Sequence, residues 1–548
     1  MTTEATPRSR RRVVLARTLT VLAGLLVFVA LVLPDEIDHV TPAGFLAIPL
    51  EALLGVVVLL ALPARARGVV ALVAGAVLGL LTVLKLLDLG FGFALDRPFD
   101  PLADWSLIRS GQEFLSESFG RAGAIAAAIG VGLLALALPV FTALAVRRLA
   151  RVAGRRPIPA RRAVLAAGTV WVVLAAFGVH AVPGVPVAAW NTSAIAYDHA
   201  TQLRADLADQ AAFARQSAVD AYRDTPGDQL LTGLRGKDVL VAFVESYGRV
   251  ALEDPRIAPQ VDAALAEGDR GLAAAGYSAR SAYLTSPTAG GASWLAHATF
   301  QSGLWVDSQR RYQDFTGSDR FTLASAFGRA GWRTVGVLPA NRRDWPEGQV
   351  YGYDRVYDAR DLGYQGPYFS FGTIPDQFSL EAFQRAERAA PGHPPVMAEF
   401  DMVSSHAPWE PVPPVVDWAT LGDGSGYDGS AGAGDSPSTV YDREIDRVRD
   451  DFARSIAYSI RTLVSYVETY GDDNLVLVML GDHQPAPIIS GTGAVAEVPI
   501  TIVARDPAVV DRISGWGWQD GLRPDPTAPV WPMDGFRDRF LSTFGPQR

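Results

Sequence analysis

Four short stretches hold the residues of this chain that can carry chemistry. Glu245-Ser246 closes the apolar run "DVLVAFVES" (238–246), and Ser293 follows Gly290-Gly291 in "SPTAGGASWLAHATFQSGLW" (286–305). His406 lies in "SSHAPW" (404–409), and Asp482-His483 ends the run "NLVLVMLGDHQPAP" (474–487). Two carboxylates and an imidazole that converge away from water repel or stay uncompensated without a cation, so metal ligation is the economical reading of Glu245, Asp482 and His483. Oxygen and imidazole donors without thiolate suit Mn²⁺, Mg²⁺ or Zn²⁺. Ser293 stands where the helix "WLAHATFQSG" would begin, so its hydroxyl feels the positive end of the helix dipole and neighbouring N–H groups can bind a phosphate. A hydroxyl on a divalent cation loses its proton more readily and becomes a nucleophile. Each stretch also has a plain structural reading. Gly481 to Pro485 is an ordinary turn, Glu245 a helix cap, His406 a hydrogen-bonded loop residue and Ser293 an N-cap. Their coincidence at successive strand ends favours a site.

Those positions need a scaffold, and the second half of the chain supplies its pattern. Near-continuous apolar strands are expected at 238–246, 333–339, 395–403, 474–480 and 498–504, alternating with helical segments such as 443–470. This alternation predicts an α/β domain with a mostly parallel sheet flanked by helices. Ligands bind beyond the carboxyl ends of such strands. The segment "ANRRDW" (340–345), just past the second strand, places Arg342, Arg343 and Trp345 at the same edge. A Gly/Ser/Asp-rich stretch at 421–439 reads as a flexible surface insertion.

At 548 residues the chain exceeds one ordinary domain. Its hydrophobic content is concentrated in the first third, where five segments read as transmembrane helices: about 13–33, 43–63, 69–89, 121–146 and 163–183. Arginines precede the first, separate the second from the third (Arg65, Arg67) and crowd "RRLARVAGRRPIPARR" (147–162) between the fourth and fifth. The positive-inside rule then places the N-terminus in the cytoplasm and everything after about 185 outside the membrane. The expected domains are a transmembrane domain over 1–185, a juxtamembrane helix and linker over 186–232, and an extracytoplasmic catalytic domain over 233–548. The formal net charge of −9 offers no basic stripe for nucleic acid. Without cysteine, disulfides and thiolate metal sites are excluded.

The order of these motifs, an acid after the first strand, a hydroxyl at a Gly-rich helix start, "SSHAPW" and then "GDH", resembles the alkaline phosphatase/sulfatase superfamily. It looks most like its membrane-bound branch of lipoteichoic acid synthases (phosphoglycerol transferases) and phosphoethanolamine transferases, over about 238–505. The resemblance implies an N-terminal five-helix membrane domain, an α/β sulfatase-like domain outside, and one divalent metal, Mn²⁺ with Mg²⁺ or Zn²⁺ as alternatives. It implies metal ligands at Glu245, Asp482, His483 and Ser293, with Ser293 as nucleophile and Thr288 as the competing candidate. His406, and more loosely Arg342, Arg343 and Trp345, match the substrate-binding positions. Ser302-Gly303, nine and ten residues on, matches the family's small pair and favours Ser293. The implied reaction is a two-step exchange: metal-bound Ser293 takes a phospho-head group from a membrane phospholipid, then passes it to a cell-envelope polymer or glycolipid.

Rival readings remain at this level. A sulfatase needs a formylglycine motif, and Ser293 is followed by "WLAH", which lacks it. A phosphodiesterase or phosphatase with water as acceptor, or a non-catalytic membrane sensor or scaffold, stays open.

Overall fold

The computed structural model describes residues 7–34, 39–95, 97–101, 103–182, 185–369, 374–430, 443–491 and 493–546. The chain divides into two compact units between Ala208 and Asp209.

The first unit is helical. α1 (Pro7–Val32), α2 (Leu50–Ala61), α3 (Ala64–Leu95), α4 (Ile108–Arg155) and α5 (Pro157–Ala176) are Leu-, Val- and Ala-rich. α4 breaks at Gly120, whose φ of 70° and ψ of 165° are not helical. Among the described residues, four stretches are long and apolar enough to cross a membrane: Arg11–Val32, Ala64–Gly92, Phe119–Arg155 and Pro157–Ala176. The second expected span is shorter than its sequence suggested. Pro42 and Pro49 break the segment into a 3₁₀ turn and a short strand, leaving α2 with 12 residues. At 1.5 Å per residue it reaches about 18 Å, against the ~30 Å of a hydrocarbon core. α6 (Asn191–Ala218) then runs from the first unit into the second and fills much of the expected juxtamembrane segment.

Among the described residues, the second unit is built on a nine-stranded sheet. Its strands are β1 (Asp238–Val244), β2 (Ser278–Thr285), β3 (Arg333–Leu338), β4 (Arg355–Asp358), β5 (Val396–Met402), β6 (Leu475–Gly481), β7 (Glu497–Ala504), β8 (Gln519–Asp520) and β9 (Val530–Pro532). The order is β8-β2-β7-β6-β1-β5-β3-β4, with β9 also on β2. β6, β1, β5, β3 and β4 run parallel. β7 is antiparallel to both β6 and β2, and β8 is antiparallel to β2. The sheet is therefore mixed, where the sequence suggested a mostly parallel one. The physical reason is the connection from β6 to β7. It carries a single helical turn (Pro487–Ser490), too little to form the crossover that a parallel return requires.

Both faces of the sheet are covered, which is why β1 is buried throughout and apolar from Val239 to Val244. Leu240, Ala242 and Val244 face a core with Val261 and Leu265 of α7 (Ala258–Ala274) and Phe452 and Ile456 of the helix Ile445–Tyr470. Val239, Val241 and Phe243 face α8 (Ser293–Ser302), α9 (Leu323–Arg329) and the C-terminal helix Asp534–Phe544. The expected surface insertion at 421–439 is seen as turns up to 430, and the rest of it lies outside the described residues.

Candidate active site

Three parallel strands deliver the site at one level. In the sheet register Val244 of β1 pairs with Gly481 of β6 and with Met402 of β5. Glu245, Asp482 and the turn leading to His406 are thus the next residues out at the same carboxyl edge. Close approach there depends on Gly481, because a Cβ at this position would stand 1.9 Å from the Tyr247 carbonyl oxygen.

Glu245, Asp482 and His483 form the trio the sequence pointed to, with one donor atom from each lying within 4.8 Å of the others. His483 Nε2 is 3.3 Å from Glu245 Oε1 and 3.4 Å from Asp482 Oδ2. All three are buried. Asp482 Oδ1 accepts from the backbone N–H groups of Ser246 and His483, both at 2.7 Å. Ser246 Oγ donates to Glu245 Oε1 at 2.8 Å. His483 Nδ1 donates to the Gln484 carbonyl at 2.7 Å, so Nε2 is the ring nitrogen left facing the carboxylates.

Ser293 completes the group. Its Oγ is 3.0 Å from Glu245 Oε2 and 3.2 Å from His483 Nε2. It is the first residue of α8 rather than its cap: that place belongs to Ala292, which offers no side-chain hydrogen bond. Gly290 (φ 76°), Gly291 (φ 156°) and Ala292 (φ 64°) all take positive φ, a sharp entry that two glycines make accessible. Thr288 stands apart from this. Its hydroxyl donates to the Gly291 carbonyl at 2.7 Å and braces the same loop.

The trio fits a divalent cation. Asp482 Oδ2 is buried and accepts no hydrogen bond, and with Glu245 and His483 Nε2 it forms a hard N/O donor set. Protonation states show the same deficit of positive charge. Burial opposes charge on Glu245, but the charge and hydrogen bond of His483 hold its carboxyl well below the usual range. Burial and then the Glu245 charge push Asp482 up to about 7. Burial disfavours the His483 cation, yet Asp482 and Glu245 push it up to about 9.

His406 follows β5, with Nδ1 against the Ala407 carbonyl at 2.7 Å. The turn before it is fixed from two sides. Ser405 Oγ donates to the Glu245 carbonyl at 2.7 Å, and buried Asp376 accepts from the Ser404 N–H at 3.0 Å. Trp345 packs with the cluster that includes Ala292 and Leu295, 5.2 Å from the Tyr351 ring. Arg342 and Arg343 are exposed on the loop after β3.

A second polar group lies behind α8, and sequence reading missed it. His297 Nδ1 and Glu399 Oε1 are 2.7 Å apart, and Gln301 Nε2 donates to Glu399 Oε2. Burial works against the His297 cation, but the Glu399 hydrogen bond and charge push it up to about 9. The available signal was an acid inside the core strand "PVMAEFDMV", since a buried carboxylate requires a partner.

No family model matches the chain, and no curated protein matches it. Solved structures do. The lipoteichoic acid synthase LtaP of Listeria monocytogenes is 14% identical, with 60% of this chain and 76% of that one covered and a TM-score of 0.38. The soluble domain of lipooligosaccharide phosphoethanolamine transferase A of Neisseria meningitidis is 13% identical, with 56% and 87% covered and a TM-score of 0.37. The phosphoglycerol transferase GacH of Streptococcus pyogenes, solved with sn-glycerol-1-phosphate, is 12% identical, with 61% and 81% covered and a TM-score of 0.37.

Proposed function

We propose that this chain is a membrane-anchored, metal-dependent phosphotransferase that moves a phospho-head group, phosphoglycerol or phosphoethanolamine, from a phospholipid to an envelope acceptor. The observation that carries the reading is the placement of Ser293 Oγ, at a helix start, 3.0 Å from Glu245 and 3.2 Å from His483. Glu245, Asp482, His483 and the Ser293 hydroxyl would hold one divalent ion, Mn²⁺ in this reading. Bound there, it supplies positive charge beside the hydroxyl and the phosphoryl oxygens.

The residues of the chain then divide the work. Ser293 Oγ forms a bond to phosphorus as the bond to the diacylglycerol oxygen breaks. The N–H groups at the start of α8 face the phosphoryl charge. His406 holds a phosphate oxygen or gives the departing alkoxide a proton. Arg342, Arg343 and Trp345 contact the head group. An acceptor hydroxyl next attacks the same phosphorus as the bond from phosphorus to Ser293 Oγ breaks, and the acceptor's proton passes to Ser293 Oγ. Splitting the exchange through a covalent phosphoserine replaces one hard displacement by two easier ones.

The chemistry belongs outside the membrane in this reading, with the N-terminus in the cytoplasm and five apolar helices, α2 included, in the bilayer. A reporter fused after residue 232 is then active only outside the cell, and one fused at about residue 155 only inside. The decisive experiment incubates the full chain with Mn²⁺ and vesicles of phosphatidylglycerol or phosphatidylethanolamine, followed by mass spectrometry of the Ser293 peptide. A head-group phosphate adduct on Ser293 is expected, and its mass names the donor. Lipid turnover without any adduct would overturn the covalent route.

A further inference from the structure

Ser293, His297 and Gln301 stand at i, i+4 and i+8 on α8 and so form one column along a single side of the helix. The first meets Glu245, just past β1. His297 stacks on Phe243, two residues earlier on that strand, with ring centroids 3.9 Å apart and planes at 26°. His297 and Gln301 then share one carboxylate on the neighbouring strand. Glu399 Oε1 faces His297 Nδ1 at 2.7 Å, and Oε2 accepts from Gln301 Nε2. Gln301 cannot reverse its amide, because its Oε1 already accepts from the Ala324 N–H at 2.9 Å. It must therefore act as a donor toward Glu399.

We propose that Glu399 is a positioning residue for the nucleophile, gripping α8 through His297 and Gln301 so that Ser293 is held in register with Glu245 and His483. The proposal rests on reading Ser293 as the reacting group. Its physical basis is the buried charge. Glu399 is 2% exposed and Gln301 is fully buried, and a carboxylate in such a place is tolerated only with its partners in position. A slip of α8 by one residue would turn it by about 100° and move it about 1.5 Å, which would strand Glu399 and lift the Ser293 hydroxyl off the trio. The grip also lies one and two turns from the reacting residue, close enough to set its position without touching substrate.

The test uses the absence of cysteine from the chain. In full-length S293C the introduced thiol is the one thiol present, and its alkylation rate against pH reports where the side chain at 293 sits, with no metal, lipid or turnover involved. Adding E399Q leaves a single acceptor where two donors, His297 and Gln301, converge, and should change that rate by about tenfold and shift its pH midpoint. Adding Q301E alone brings two carboxylates together and should disturb it similarly. The reciprocal pair E399Q/Q301E restores one donor and one acceptor, keeps an acceptor for His297, and should return the profile to within about twofold of the parent. Rates indifferent to E399Q, or no recovery in the reciprocal pair, would overturn the grip. If E399Q alone does not fold, the reciprocal pair decides: folded with the parent's profile supports the proposal, unfolded or displaced refutes it. Failure of the phosphotransfer reading would show instead as a missing adduct in the wild-type chain, with this thiol profile unaffected.

Discussion

The Ser293 hydroxyl and the Glu245 carboxylate stand 3.0 Å apart across 48 residues of sequence, with the His483 imidazole 3.2 Å from the same hydroxyl. This relationship separates Ser293 from Thr288. Ser293→Ala should leave a folded, metal-competent protein that forms no phosphoserine. Thr288→Ala removes the hydrogen bond to Gly291 and should cost about 1 kcal/mol of stability while adduct formation persists. An adduct surviving in Ser293→Ala and vanishing in Thr288→Ala would transfer the role to Thr288.

Metal removal has its own signature. Wild-type protein should gain thermal stability with Mn²⁺ or Zn²⁺, about 2.7 kcal/mol at a hundredfold excess over Kd, and lose it on chelation. Glu245→Gln, Asp482→Asn and His483→Gln should each abolish most of that gain while the apo melting temperature stays near wild type. Two of the three retaining the full gain would place the ion elsewhere.

Gly481 is predicted to be irreplaceable for steric reasons. The Cβ of Gly481→Ala would meet the Tyr247 carbonyl at 1.9 Å, so β6 or the Tyr247 turn must shift. A loss of about 3 kcal/mol is expected, together with weakened metal binding because Asp482 moves with the strand. Gly515→Ala, where no atom lies within 4 Å of the added methyl, is the matched control and should be near neutral. Equal melting temperatures for the two variants would contradict this.

The His297 pair predicts a pH dependence of definite sign. His297 is raised from its ordinary value of 6.5 to about 9, facing Glu399 first and Asp401 and Asp482 beyond it. A raised folded-state pKa gives stability that is complete below 6.5 and is lost as pH rises through about 9. Between about pH 7 and about pH 10 the wild-type unfolding free energy should therefore fall, by on the order of 3 kcal/mol more than that of His297→Gln. Denaturant titrations followed by tryptophan fluorescence measure it. Parallel pH curves for the two proteins would show that the His297 charge is not coupled to folding.

Much of this site is written locally. Glu245 and Asp482-His483 each end an unbroken apolar run, and Ser293 follows two glycines, so strand ends and a helix start were visible as changes of residue type. Other features depend on partners distant in sequence. His297 and Glu399 meet across 102 residues, and nothing beside either announces the other. β2, "SARSAYLT", was missed because only Ala282, Tyr283 and Leu284 form an apolar run within it. The reversed direction of β7 depends on how few residues after β6 form helix, which apolar patterning does not record. α2 was overextended because hydropathy counts apolar residues without seeing that Pro42 and Pro49 interrupt the helix.

The register that sets Val244 beside Gly481 has a consequence for biosynthesis. Ser246 and Asp482, joined by a hydrogen bond, are 236 residues apart, so Glu245 and Ser293 leave the ribosome long before Asp482 and His483 do. During that interval the candidate cation site lacks two of its three donor residues. In the proposed reading the centre is complete only once β6 pairs with β1, so a chain truncated before that strand is expected to be inactive however well its earlier segments fold.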